Sequence, residues 1–95
     1  MATLSDTEVK AALADLPGWE LAGVDIVKQY KFADFVAAMA FVNQVADRAE
    51  AANHHPDIDI RWNKVRLALS THSEGGLTQN DFALAREIEA LAGAG

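Results

Sequence analysis

Ninety-five residues, 51% hydrophobic and 23% charged, suit one globular domain with a modest core and are too apolar for a disordered chain. A formal net charge of −6 argues against a general nucleic-acid binder or a ligand of anionic membranes, leaving one local basic group at Arg61, Lys64 and Arg66. With no cysteine there are no disulfides, zinc–thiolate sites or thiol nucleophiles; no apolar run nears the ~20 residues that span a bilayer, and the polar opening "MATLSDTEVK" carries no secretory signal, so the expected location is cytoplasmic.

"SDTEVKAALADL" predicts a first helix. Ser5 with Glu8 three residues on is a capping-box pattern, Val9, Leu13 and Leu16 form the apolar stripe, and Pro17–Gly18 ends it. In "WELAGVDIVKQYKF" the period changes to two. Val24, Ile26, Tyr30 and Phe32 share one parity, broken only by Lys28, and Val27 lies on the other; Ala22–Gly23 is the turn of a short hairpin. From Ala33 to Asn53 the period is helical again. Phe35, Met39, Val42, Ala46 and Ala49 make the stripe, and Phe41 and Val45 widen it into an apolar face on which a protein partner or a second copy could settle.

Pro56 stops this helix and forces His55 into an extended conformation. In "DIDIRWNKVRLALSTH", Ile58, Ile60 and Trp62 alternate with Asp57, Asp59 and Arg61, and Val65, Leu67 and Leu69 alternate with Arg66, Ala68 and Ser70. This predicts a hairpin turning at Asn63–Lys64, with Trp62 as a packing residue. "SEGGLT" is a loop. Thr78 with Asp81 opens a last helix carrying Phe82, Leu84, Ala85, Ile88 and Leu91, and "GAG" is expected to fray. The order α-β-β-α-β-β-α gives an α+β two-layer sandwich over residues 1–95, a four-stranded antiparallel sheet covered by helices on one face.

All three histidines fall within nineteen residues: His54, His55 and His72. A turn at Asn63–Lys64 places residue 57 near residue 70, so the far end of the hairpin returns His72 to His54, His55 and Pro56. Glu50 and His54 share a helix face if the last turn holds. Imidazoles titrate near neutrality, so such a cluster suits general acid–base chemistry. A three-histidine metal site is the alternative, weakened because adjacent residues of an extended segment point to opposite sides and no HExxH or H-x-H spacing is present. A plain structural rim is the third reading. Asp81, three residues after Thr78, is explained by capping alone, and Glu50 by a solvated helix face.

The pattern E-x3-HHP-x5-W-x9-H-x8-D, met by Glu50, His54, His55, Pro56, Trp62, His72 and Asp81, resembles the signature of the pterin-4a-carbinolamine dehydratases. "LPGW", Phe32–Phe35, "WNKV", "LSTH" and "GLT-x2-D" extend the resemblance over nearly the whole chain. It implies dehydration of a 4a-hydroxytetrahydropterin to the quinonoid dihydropterin, in recycling of a tetrahydrobiopterin-type cofactor, with no metal or redox cofactor required. It implies His54 and His72 as the acid–base pair in either order, and His55 as a contact to the substrate hydroxyl. Glu50 would orient a histidine or the pterin, Pro56 would present the histidines, Ser70 and Thr71 would line the pocket, and Asp81 would support it. The partners it implies are the pterin carbinolamine, a homodimer or homotetramer, and an aromatic amino acid hydroxylase, with no nucleic acid and no membrane. Some members of that family bind a homeodomain transcription factor, and others resemble assembly factors without the catalytic histidines, so a non-catalytic pterin-binding or protein-interaction module is the competing reading. Mammalian members carry a basic residue where this chain has Asn80.

Overall fold

A computed structural model describes residues 3–94; Met1, Ala2 and Gly95 lie outside the described residues. Helix α1 (Asp6–Ala14) starts with the expected reciprocal cap: Glu8 N–H donates to Ser5 Oγ at 3.2 Å, and Ser5 N–H to Glu8 Oε1 at 2.9 Å. Strands β1 (Glu20–Ala22) and β2 (Asp25–Lys31) form the first hairpin, and α2 (Phe35–Ala52) follows. Strands β3 (Asp57–Arg61) and β4 (Lys64–Leu69) form the second, then a 3₁₀ turn (His72–Glu74) leads to α3 (Gln79–Ala94). Gly93 and Ala94 are thus helical, where a frayed end was expected. The antiparallel sheet has the order β1-β2-β4-β3. The chain is an α+β two-layer sandwich with its helices on one face of that sheet.

The core lies between the layers. β2 and β4 contribute Ile26, Val65, Leu67 and Leu69, α2 contributes Ala38, Phe41, Val42, Val45 and Ala49, and α3 contributes Phe82, Ala85 and Ile88. The stripe of α2 is rotated from the one expected. Phe35 and Ala46 are exposed, whereas Phe41 is only 4% exposed and Val45 fully buried. Alanine fits either face of a helix, so the alanine-rich spacing did not fix the rotation; the aromatic contacts do. The Phe41 ring centroid sits 4.9 Å from those of both Tyr30 and Phe32. The face carrying Phe41 and Val45 is therefore core, and not free for a partner. Burying one such side chain contributes about 1.5–3 kcal/mol.

Lys28, which breaks the parity of β2, also points toward the helices. Its Nζ donates to Glu89 Oε1 of α3 at 2.5 Å and to Pro17 O at 2.8 Å, and lies 4.8 Å from the Tyr30 ring centre. The Tyr30 hydroxyl and Trp19 Nε1, at 3.1 Å, donate to the same carboxylate oxygen. Burial pushes the Glu89 carboxyl up, but the bonds from Lys28, Tyr30 and Trp19 outweigh it and hold the carboxyl below its ordinary value. Burial, reinforced by Glu89, raises the Tyr30 phenol. One carboxylate thus ties α3 to β2 and to the segment between α1 and β1.

The second hairpin turns one residue earlier than expected. Arg61 pairs with Lys64, which leaves Trp62–Asn63 as the turn, and Asp57 faces Ala68 rather than Ser70. The shift is two residues in register, so every side chain keeps its face. Asn63 fixes the turn: its Nδ2 donates to Phe32 O, and its own carbonyl accepts from Phe32 N, each at 2.8 Å. Trp62 is not a packing residue; it is 65% exposed at φ +51.

Candidate active site

The site is assembled where α2 ends, β4 ends and α3 begins. Helix α2 closes on Asn53, in the left-handed conformation at φ 50, ψ 44. His54 N–H donates to Ala49 O at 3.0 Å and Asn53 N–H to Glu50 O at 3.2 Å, the paired bonds of a Schellman motif. Asparagine tolerates this conformation better than most residues. The helix therefore stops before His54, and Pro56 holds the following segment extended until β3 begins.

This end overturns one expected pairing. Glu50 does not share a face with His54; it bonds His55 Nε2 through Oε2, and both partners are exposed. His54 instead turns inward, and its Nε2 lies 2.5 Å from Asp81 Oδ1. The Asp81 side chain is 0% exposed.

Asp81 is held from its other oxygen. Thr78 N–H and Thr71 Oγ1–H both donate to Oδ2 at 2.9 Å. Thr71 has one hydroxyl proton and gives it to Asp81, so the 2.8 Å contact between the threonines runs from Thr78 Oγ1–H to Thr71 Oγ1. Thr78 Oγ1 also accepts from Asn80 N–H at 3.2 Å. The capping expected of Asp81 and its bond to His54, which was not expected, are thus carried by separate oxygens of one carboxylate. A carboxylate at Oδ1 fixes His54 with its proton on Nε2, leaving Nδ1 as the ring nitrogen able to take a proton.

After β4, Thr71 pairs with Gly76: Thr71 N–H donates to Gly76 O at 2.9 Å. The loop between them is the 3₁₀ turn, closed by Gly75 N–H to His72 O at 3.1 Å with Gly75 at φ +73, where glycine is favoured. The turn puts His72 at the surface beside the other two histidines. His54, His55, His72, Ser70, Thr71 and Asn53, with Ser73, line one cavity of about 240 Å³. Glu50, Pro56 and Asp81 are not part of this lining: Asp81 meets His54 from the buried side, Glu50 bonds His55 at the exposed rim, and Pro56 follows the two histidines in the chain. The Ser70 hydroxyl is buried and has no hydrogen-bond partner among the described residues, which is uncommon for a native polar group. Asn53, Ser73 and Thr78 were not singled out as site residues beforehand; the only signal for Thr78 was its capping position.

A larger cavity, about 570 Å³, lies elsewhere, between α1, the β1–β2 turn and Gly75–Gly76. Its walls are chiefly Leu4, Val9, Leu13, Leu21, Val24 and Leu77, and its titratable residues are Asp6 and Lys10 alone. Convergent polar groups, not volume, single out the histidine cavity. Among the described residues no group of three His, Asp or Glu side chains is arranged to hold a metal ion, and no helix is long and apolar enough to cross a membrane.

The family model for pterin 4 alpha carbinolamine dehydratase matches residues 2–91. The chain belongs to that family. A relative from Acidobacterium capsulatum, provisionally named a pterin-4-alpha-carbinolamine dehydratase, is 58% identical over 91 residues, 96% of this chain and 99% of its own. A relative from Mycobacterium tuberculosis with the same provisional name is 53% identical, covering 99% of this chain and all of its own. Among solved structures of the dehydratase type, the crystal structure of a transcriptional coactivator/pterin dehydratase from Brucella melitensis superposes with a TM-score of 0.92 at 38% identity, over 95% of this chain and 98% of that one. A pterin dehydratase-like protein identified as a RuBisCO assembly factor of the alpha-carboxysome shares the fold, with a TM-score of 0.65 at 24% identity, over 79% of this chain and 87% of that one.

Proposed function

We propose that the protein dehydrates 4a-hydroxytetrahydropterin to the quinonoid dihydropterin by histidine acid–base catalysis. The observation that carries the reading is His54 locked to buried Asp81 on the same cavity as His72 and His55. The elimination breaks the C4a–O bond, removes the N5 proton and releases water, with no change of oxidation state. It needs one group to take the N5 proton and one to protonate the departing hydroxyl. His54 takes the N5 proton through Nδ1, while Asp81 steadies the imidazolium that forms. His72 protonates the leaving hydroxyl, and His55, held by Glu50, polarises it. Ser70 Oγ, buried without a partner, hydrogen-bonds the pterin ring. Thr71 spends its own hydroxyl on Asp81 and acts as a positioning residue. The cavity of about 240 Å³ lies just under the ~300 Å³ at which sites for drug-sized ligands begin, which suits a bicyclic ring better than a dinucleotide. On this reading the protein works in the cytoplasm, as a homodimer or homotetramer, and takes its carbinolamine from an aromatic amino acid hydroxylase; the quinonoid product must still gain two electrons from a separate reductase before the pterin can serve the hydroxylase again.

The test is to generate the carbinolamine enzymatically and follow its dehydration by ultraviolet absorbance, with His54→Ala and His72→Ala beside the wild type. Each substitution is expected to lower the rate ~10²–10⁴-fold. A wild type no faster than buffer would sink the enzyme reading, and a pterin-binding titration would then separate a pterin-binding module from one that only meets proteins.

A further inference from the structure

The helices leave the second face of the sheet open among the described residues. Tyr30, Val65 and Leu67 are buried toward the helices and Ile60 packs with them, so alternation puts Lys31, Lys64, Arg66 and Arg61 on the open face. The register sets Lys31 directly opposite Lys64, and Lys64 directly opposite Arg61. Three cations therefore stand in one row across three strands spaced about 4.8 Å apart. Arg66 stands in the next row, between Gln29 and Asp59. Half of the chain's eight Lys and Arg residues thus share one patch of a protein whose net charge is −6. Asp59 meets Arg61 Nε at 3.2 Å, but no carboxylate pairs with Lys31, Lys64 or Arg66 among the described residues. Like charges directly opposite in a sheet repel, and among the described residues only Asp59, through Arg61, offsets this row.

The row ends beside Trp62, exposed and in a backbone conformation that bulky residues rarely take. Its turn is held firmly by the two Asn63–Phe32 hydrogen bonds, and Phe35 and Val36, just beyond Phe32 in the chain, are exposed as well. We propose that this turn end of the open sheet face, Trp62 with Lys31, Arg61, Lys64 and Arg66, docks an acidic segment of a partner protein. Tryptophan and arginine are the residues that most often anchor protein interfaces. Gln29, Asp59, Arg61, Lys64 and Arg66 line a depression of about 270 Å³. The Asp59 carboxylate in it opposes a compact dianion such as phosphate, whereas an extended segment spreads its carboxylates along the cation row and lays an apolar side chain on Trp62. A long nucleic acid meets the net negative field over its whole length. A short acidic segment meets chiefly the cations within a screening length of ~8 Å. The patch lies at the opposite end of the β3–β4 hairpin from the histidines, so docking leaves the histidine cavity free.

The probe is a short fluorescein-labelled peptide of Asp-Glu-Leu repeats, titrated by anisotropy at low salt. Binding is expected, weakened at least ~10-fold by Lys64→Glu and by Trp62→Gly, glycine being chosen because it accepts the positive φ. Lys64→Glu also puts a negative charge between Lys31 and Arg61, so its thermal midpoint should hold or rise by about 2–4 °C while binding is lost, which a structural role for Lys64 would not produce. No binding, or binding indifferent to Lys64→Glu, overturns the proposal. So does tighter binding of a single-stranded oligonucleotide of equal length, which would assign the patch to nucleic acid. Self-association in sedimentation equilibrium that Lys64→Glu abolishes would assign it to a second copy and likewise overturn it.

Discussion

Asp81→Asn is the most informative single change, because it keeps the shape of the side chain and reverses one hydrogen bond. Oδ2 of Asp81 accepts from Thr78 N–H and Thr71 Oγ1–H, and both donors are fixed, one by the backbone and one by the Thr78→Thr71 hydroxyl chain. An asparagine must therefore turn its carbonyl oxygen to those two donors and its NH₂ to His54. His54 Nε2, which donates to Asp81, must then accept, so the ring proton moves to Nδ1, the nitrogen assigned to take the substrate proton. The loss of correctly poised general base is expected to cost ~10²–10⁴-fold in kcat, or about 3–5.5 kcal/mol of transition-state stabilisation. All three contacts survive in altered form, so folding stability should fall by only about 1 kcal/mol, a thermal shift of roughly 4–8 °C. Asp81→Ala differs: it leaves the Thr78 amide and the Thr71 hydroxyl buried without an acceptor, at about 1–3 kcal/mol each. The assays are carbinolamine dehydration, thermal unfolding, and ¹⁵N NMR of the His54 ring, which reads the tautomer without substrate. An Asp81→Asn protein that keeps both the wild-type rate and the Nε2–H tautomer refutes the assignment of Asp81 as the residue that orients His54.

Ser70→Ala removes a buried hydroxyl that has no partner, so its unfolding midpoint should not fall, while pterin affinity drops roughly 3–10-fold, as for one lost hydrogen bond; unchanged affinity in an equilibrium titration would release Ser70 from the site. Asn53→Gly should be neutral within a few tenths of a kcal/mol and Asn53→Ala should cost about 1 kcal/mol, because only the side chain's tolerance of the left-handed conformation differs; urea unfolding of the two variants checks this. The Glu89 carboxyl is lowered in the folded state, so its contribution is present above the unfolded value of about 4.3 and is lost as pH falls below that, through the folded value. Glu89→Gln should therefore flatten the acid limb of a urea-midpoint profile. The Tyr30 phenol is raised, so its contribution holds below about pH 10 and is lost as pH climbs past it, and Tyr30→Phe should flatten the alkaline limb. Profiles identical to wild type on both limbs would contradict the Glu89 cluster as a source of pH-dependent stability.

Element order and the two-layer antiparallel architecture were legible because the period of the apolar residues changes cleanly at Pro17, Ala33 and Pro56, and because the cap at Ser5 is a local device that depends on nothing distant. Features set by tertiary contact were not. The rotation of α2 depends on where Tyr30 and Phe32 stack, and alanines at Ala38, Ala46 and Ala49 leave that choice open. Lys28 looked like a break in a strand because its partner, Glu89, is 61 residues away. The turn slid by one residue because Asn63 is held by Phe32, in another hairpin, rather than by its own strand.

The candidate site divides along the same line. That the three histidines meet followed from topology: any hairpin from Pro56 to His72 returns the last histidine to the first two, and a two-residue slip of register preserves that result. Which carboxylate serves which histidine did not follow, because it turns on a single backbone residue. Had α2 continued one turn further, Glu50 would have faced His54 as the four-residue spacing suggests. Asn53 in the left-handed region ends the helix first, swings His54 toward α3 and leaves His55 to Glu50. The two neighbouring imidazoles thereby acquire different environments, one against a fully buried carboxylate and one against an exposed carboxylate at the rim. On the proposed mechanism this separates a proton acceptor at His54 from a contact to the substrate hydroxyl at His55, and the difference is produced by where a helix stops.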